Sequence, residues 1–384
     1  MTESFSIGEL AERTGLRRVH IITWRDIDHE EAGGSELHIN AIADQWSSAG
    51  IDVIIRTSGV ANEPRTTERN GYRVIRKGNS LSVLVRNPIG ERFSKDQEDT
   101  GLVEVWHGIN FLAPLWSPIP RIAIAHHVHG SQFRKVLPPP FGHLGEQLER
   151  HVYPRLYRKT EVVTLSESSR RELLELNYEP RRVHIASPGI SPNFCPDPTV
   201  PKSPSPMLVV VARLMPQKHV EVVIQSLAEL HEDFPELSAV VVGEGPQEDF
   251  LRKLAGELGF SSQVQFAGRV EEKELIDLYR RSWLLVSASS AEGWGMTITE
   301  AAACGTPAVA TRIAGHVDAI SENNSGLLAD SYEEFKDQIA QVIRNDDLRK
   351  QLGDGALEYS RQFTWTRCAY DTLTPLANQM TCKK

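Results

Sequence analysis

Short apolar runs alternate with amphipathic helical stretches along almost the whole chain, in two series separated by a proline-rich break. In the first series VHIITW (19–24), IDVII (51–55), VEVW (103–106), RIAIA (121–125), EVVTL (161–165) and VHIA (183–186) read as strands. Taken together they do not alternate apolar with polar residues, so both faces of the sheet are buried. That is the pattern of a parallel sheet covered by helices on each side. A helix is expected from Ser35, with Ile39, Ile42, Ala43 and Trp46 at i, i+3, i+4 and i+7 and Gly50 just beyond its end.

The break holds Pro188, Pro192, Pro196, Pro198, Pro201, Pro204 and Pro206. Proline lacks a donor and restricts its neighbour, so the segment reads as a stiff linker. A second series follows: MLVVVA, AVVVG, VQFAG, WLLVSAS and PAVAT as strands, with helices at 220–234, 247–258, 271–282, 331–346 and 348–362. The expected architecture is α/β: two Rossmann-like doubly wound domains facing across a cleft. Their expected extents are 1–186, a 187–206 linker, 207–362, and a closing segment 363–384. Ligands of open α/β sheets bind beyond the carboxyl ends of the strands.

Forty-two Lys and Arg stand against 51 Asp and Glu, a formal net charge of −9, which argues against broad nucleic-acid binding. The four cysteines are scattered without a CxxC pair and read as reduced thiols. The opening MTESFSIGELAERTG is acidic and interrupted by polar residues, unlike a signal peptide. No apolar run approaches the ~20 residues that a spanning helix needs. The expectation is a cytoplasmic protein.

Four constellations follow strands. In EEAGGSE (30–36), Gly33 and Gly34 let backbone approach a ligand, and the helix beginning near Ser35 offers N–H groups to an anion; a plain turn capped by Ser35 is the alternative. In VVVARLMPQK, Arg213 and Lys218 suit a diphosphate, one as a planar fork and the other as a mobile charge, unless they form only a solvated basic turn. In SSAEGWGMTITEAAACGTP, Glu292 and Glu300 can accept from hydroxyls at the two ends of a sugar nucleotide. Between them Gly293 and Gly295 open the loop so that N–H groups around Trp294, Met296 and Thr297 face a phosphate. In RIAIAHHVHG, His126, His127 and His129 end a buried strand without the Cys or carboxylate pattern of a zinc site. Two other matches are set aside: Asp26-Ile27-Asp28 spells a short metal-type DxD, and SIGELAERTGL (6–16) looks like the first helix of a MerR-type DNA-binding domain. The latter runs straight into a strand, with no room for a recognition helix.

In this order and spacing the motifs resemble glycosyltransferase family 4, retaining enzymes of the GT-B fold. The resemblance runs from AGGSE through PGISPNF (188–194), VARLMPQK and VVGEGP to EGWGMTITEAAACGTP, and Glu292-x7-Glu300 is its most specific part. It implies that Glu292 contacts the donor sugar, Glu300 the ribose, and Arg213 with Lys218 the diphosphate. Gly33 and Gly34 would approach the phosphates, and Gly243 and the Arg269-Val270 segment would border the nucleotide. His126, with His127 as its rival, would lie beside the donor sugar, and the closing segment would cross back onto the first domain. The implied catalytic set is His126, Glu292, Arg213 and Lys218. The implied donor is a UDP-, GDP- or other nucleoside-diphosphate sugar, with no metal or other cofactor.

The acceptor is expected on the first domain near Trp106, His107, Asn110, His127 and His129, as a small molecule, a lipid or a glycan. The segment 132–159 mixes aromatic and basic residues and is a candidate for peripheral contact at the inner face of a membrane; a solvated helix kinked at Pro154 is the plainer reading. Two competing functions remain: a sugar-nucleotide epimerase or phosphorylase on the same fold, and a regulator that binds a nucleotide sugar.

Overall fold

A computed structural model describes residues 6–79, 81–92, 98–130, 133–134 and 138–381. The chain divides into two units, Met1–Gly189 with Thr364–Lys384, and Ile190–Phe363.

The first unit is built on an eight-stranded sheet. Its strands are β1 (Arg18–Ile22), β2 (Asp52–Thr57), β3 (Thr66–Arg69), β4 (Tyr72–Arg76), β5 (Thr100–Trp106), β6 (Arg121–Ala125), β7 (Glu161–Thr164) and β8 (Val183–Ile185), in the order β3-β4-β2-β1-β5-β6-β7-β8. All neighbours are parallel except β3 and β4. That hairpin escaped the apolar-run reading because its residues are largely polar. Asn70 and Gly71 turn it, both at positive φ, the conformation that an Asn-Gly pair favours in a two-residue hairpin.

The Gly34–Ser48 helix buries Ile39, Ile42, Ala43 and Trp46, and Gly50 follows it at φ 88°. The helix begins at Gly34 with Gly33 as N-cap, one residue before the expected start. Ser35 is therefore not the cap. Its hydroxyl donates instead to Glu36 Oε2, at 2.9 Å.

Ile7–Thr14 is a helix whose Ile7, Leu10 and Ala11 join the core formed by Trp46 and the Trp365–Thr381 helix. Trp46 Nε1 donates to Ala369 O at 2.9 Å. Leu376 is packed so closely on β5 that a Cβ at Gly101 would lie 2.7 Å from its side chain.

The second unit holds β9 (Met207–Val211), β10 (Ser238–Val242), β11 (Val264–Gly268), β12 (Leu284–Ser287), β13 (Ala308–Thr311) and β14 (Gly326–Ala329), all parallel, in the order β11-β10-β9-β12-β13-β14. Counted from β9, this is the doubly wound order 3-2-1-4-5-6. The proline-rich segment is not a free linker. From Ile190 onward it belongs to this unit: Ser203 N–H donates to Arg281 O at 2.9 Å and Trp283 Nε1 to Ser203 O at 2.7 Å.

Among the described residues no helix is long and apolar enough to cross a membrane, and Cys195, Cys304 and Cys368 are free thiols. Cys382 lies outside the described residues.

Candidate active site

In each sheet the strand order reverses beside its first strand, and the loops leaving the carboxyl ends of the strands at that point flank a natural ligand position. In the second unit these loops follow β9 and β12, and they carry Arg213, Lys218 and Glu292. Lys218, in the Pro216–Lys218 turn, donates to Glu292 Oε1, and Ser289 Oγ donates to the same oxygen at 2.8 Å. The Lys218 and Glu292 side chains are about four-fifths buried. Ser290 N–H donates to Gln217 O at 2.9 Å, which ties the two loops together. Arg213 is exposed at the mouth of the β9 loop.

Glycine permits this approach of loops. Gly243 lies at φ 124°, and a Cβ there would stand 2.0 Å from Ala212 O; one at Gly245 would stand 2.4 Å from Leu214 O. Gly315, which the sequence reading passed over, packs its Cα against the backbone of Glu292 and Trp294, where a Cβ would come within 2.7 Å of Glu292 O.

Gly295 caps the Met296–Ala303 helix, so the first N–H groups of that helix, at Met296 and Thr297, face out of the Glu292–Gly295 loop. Glu300 lies on the same helix and accepts from Tyr279 Oη at 3.1 Å. Part of its surface stays accessible, yet burial raises the carboxyl to about 7, with the Tyr279 hydrogen bond opposing. Arg269 is exposed and Val270 half-buried just after β11. Trp294 is packed inward, edge-on to Phe363 at 5.1 Å, with its indole N–H unpartnered. Its ring therefore belongs to the packing of this unit, and only its backbone borders the loop. His316 was also missed. It is buried, donates from Nδ1 to Thr311 O at 2.9 Å, and is held below its ordinary pKa by burial, which Glu292 opposes.

The first unit gathers its polar groups beyond β1, β5 and β6. Thr23 Oγ1 lies 3.3 Å from His107 Nε2, and His126 Nε2 lies 3.0 Å from His38 Nδ1. His38 Nε2 is 3.3 Å from Cys368 Sγ, while His126 Nδ1 is buried and unpartnered. Burial lowers His38 and His107 to about 4 and drives His126 well below the ordinary imidazole value, so all three are neutral near pH 7. His107 was expected near the acceptor, whereas His38 lay outside the sequence-derived set, since it sits in no recognisable motif.

The expected phosphate turn is already occupied by a side chain. Gly33 N–H donates to Glu36 Oε2 at 2.9 Å, and Arg25 Nε approaches Glu36 Oε1 at 3.6 Å. A buried carboxylate thus stands where an anion would meet the start of this helix. The spacing of Glu36 three residues after Gly33 was the available signal.

Around the expected acceptor residues, a small cavity of about 20 Å³ is lined by Trp106, Asn110, His127, His129 and Glu149 among others. Glu149 accepts from the N–H groups of His129 and Gly130, at 2.9 and 2.6 Å. The segment 132–159 is described only in part; Gln132 and Lys135–Leu137 lie outside the described residues. A helix at Phe141–Gln147 passes into a π-turn at Leu148–Val152 just before Pro154, whose missing N–H cannot continue regular i→i+4 bonding. Phe141, Leu144 and Val152 are exposed beside Arg150, His151, Arg155, Arg158 and Lys159.

Asp26 and Asp28 accept from Arg69 and Arg76 at 2.6–2.9 Å, with Asp26 and Arg76 only 1% exposed. Burial works to raise the Asp26 carboxyl, but the two guanidiniums outweigh it and hold it below its ordinary value. The DxD match is an ion-paired scaffold. Among the described residues no three His, Cys, Asp or Glu converge as a metal-binding group.

Residues 32–194 match the model "Glycosyltransferase Family 4", and residues 196–359 match "Glycosyl transferases group 1". The chain belongs to glycosyltransferase family 4. A D-inositol 3-phosphate glycosyltransferase of Stackebrandtia nassauensis is 26% identical over 94% of this glycosyltransferase and 91% of its own length. The fold is GT-B, as in its structural neighbours. Sucrose-phosphate synthase of Thermosynechococcus elongatus superposes at TM-score 0.78, 17% identical, covering 96% of this chain and 100% of the other. HepE of Anabaena, solved with UDP-glucose, gives 0.72 at 16%, with the same coverage.

Proposed function

We propose that this glycosyltransferase moves a sugar from a nucleoside-diphosphate sugar to an acceptor hydroxyl, with retention at the anomeric carbon and without a metal ion. The carrying observation is the Lys218–Glu292 pair beside the exposed Arg213 and the open start of the Met296–Ala303 helix. On donor binding the diphosphate becomes the partner of Lys218 and Arg213, and Glu292 is released to accept from sugar hydroxyls. Glu300, as a carboxylate, accepts from the ribose.

As the glycosidic bond breaks, negative charge builds on the leaving diphosphate. Fixed cations and helix N–H groups bind that charge more tightly in the transition state than in the ground state. His126 is neutral near pH 7, so it can take part in hydrogen bonding but not as a charged acid.

The inositol phosphate activity named for the relatives and the UDP-glucose bound by HepE favour a UDP-sugar donor and a small polar acceptor. The exposed Phe141, Leu144 and Val152 with their basic neighbours suit contact with an anionic lipid surface.

The test is thermal unfolding with UDP-, GDP- and ADP-sugars, with and without EDTA, followed by transfer to inositol phosphates. A saturating ligand at a hundredfold over Kd adds about 2.7 kcal/mol, a rise of several degrees at ~2–4 °C per kcal/mol. One nucleotide family should shift the melting point in the presence of EDTA. No shift with any of them, or a shift that EDTA abolishes, contradicts the proposal.

A further inference from the structure

At the opposite end of the second sheet from the donor loops lies a cavity of about 450 Å³. Its wall includes Trp283 and Pro307, which immediately precede β12 and β13, so it faces the amino ends of these strands. Segment 196–202 and the Asp346–Ser360 helix close the other sides.

Lys202 lines this cavity. Its stem is exposed, but its amine donates to Ser282 O at 2.7 Å and Thr306 Oγ1 at 2.6 Å. Neither acceptor is charged, and among the described residues no carboxylate pairs with it. Lys218, Lys253, Lys336 and Lys350 each face a carboxylate.

An ammonium carries three protons and here meets two oxygens, so loss of the third breaks neither bond and leaves a lone pair. Burial without a counter-charge lowers this amine to about 8, Cys304 opposing and Arg349 adding. Arg280, Arg349 and Lys350 also line the cavity, but each pairs with an aspartate of the same wall, Asp197, Asp346 and Asp354. Among the described residues Lys202 is thus the lining cation that an entering anion meets without a carboxylate beside it.

We infer that Lys202 is an acylation site, its amine attacking the carbonyl carbon of an acyl phosphate that enters this cavity. The N–C bond forms as the carbonyl C–O bond to phosphate breaks, and the amine proton leaves with the phosphate as hydrogen phosphate. The amide product has one N–H where the ammonium had three. Ser282 O and Thr306 Oγ1 then cannot both be served, and the fastening of 196–206 to the sheet loosens.

The experiment is incubation of the whole protein with acetyl phosphate between pH 7 and 9, reading acetyl occupancy at each lysine by peptide mass spectrometry. Near pH 7.5 Lys202 should acetylate roughly tenfold or more faster than the exposed Lys77, Lys159 and Lys273, because burial without a counter-charge leaves much of it as free amine. Its rate should level off above about pH 8. Equal or slower labelling of Lys202 overturns the site. Hydrogen exchange across 196–206 should quicken after treatment in the wild type and stay unchanged in Lys202→Arg. Unchanged exchange in a fully acetylated wild type overturns the loosening.

Discussion

Glu300 links the proposed donor site to a measurable pH dependence. Its carboxyl is raised to about 7 by burial, and Tyr279 already donates to it. Ribose hydroxyls are donors, so the nucleotide selects the carboxylate form, and donor binding below pH 7 must expel a proton. When only a fraction of the protein is competent, the apparent Kd rises by the inverse of that fraction. At one pH unit below the pKa this means about tenfold weaker binding than at pH 8, and about a further tenfold per unit below. Titration calorimetry at pH 6, 7 and 8 measures it, using whichever sugar nucleotide raises the melting temperature. Such a donor has no phosphate group titrating in that window. Glu300→Gln should bind weakly and with no pH dependence. Wild-type affinity that is flat from pH 6 to 8, or a Gln variant that keeps the slope, would refute the assignment of Glu300 as the ribose acceptor.

Lys218→Ala should lower kcat/KM by about 10²–10³, the usual cost of removing one fixed charge from a leaving group, with a circular-dichroism spectrum unchanged; wild-type turnover would sink the diphosphate role. Gly243→Ala forces a Cβ to 2.0 Å from Ala212 O at a φ of 124°, and should cost on the order of 2–3 kcal/mol of stability, checked by urea unfolding. At saturating donor, kcat should be flat from pH 6 to 8 with respect to His38, His107 and His126, which are neutral throughout. Because these imidazoles are depressed in the folded state, the unfolded chain takes up protons first, so stability should fall as pH drops from about 6.5 towards 4. The His38 share is on the order of 3 kcal/mol at the acid limit, and denaturant midpoints across that range test the sign.

Most of the architecture was legible because burial on both sides of a parallel sheet leaves unbroken apolar runs, as RIAIA and MLVVV show. The polar β3–β4 hairpin and the four-residue β14 were not, since neither concentrates enough apolar side chain to stand out. The ordered motifs placed Arg213, Lys218, Glu292 and Glu300, because loops leaving the carboxyl ends of strands announce themselves through glycines and charges. The same motifs pointed to the family.

Other features were decided only in three dimensions. Lys218 and Glu292 are 74 residues apart, and their pairing depends on β9 and β12 lying side by side. Asp26 and Asp28 could have served a metal until Arg69 and Arg76, from the hairpin, claimed them. Gly33 looked free to meet a phosphate, yet Glu36 takes its N–H. Lys202 reads as one more lysine among prolines, and only the folded chain withdraws its amine from solvent without a counter-charge. Local pattern sets which segments become strands and helices. Pairing of charges and loss of solvent depend on segments distant in the chain, and these the tertiary structure alone brings together.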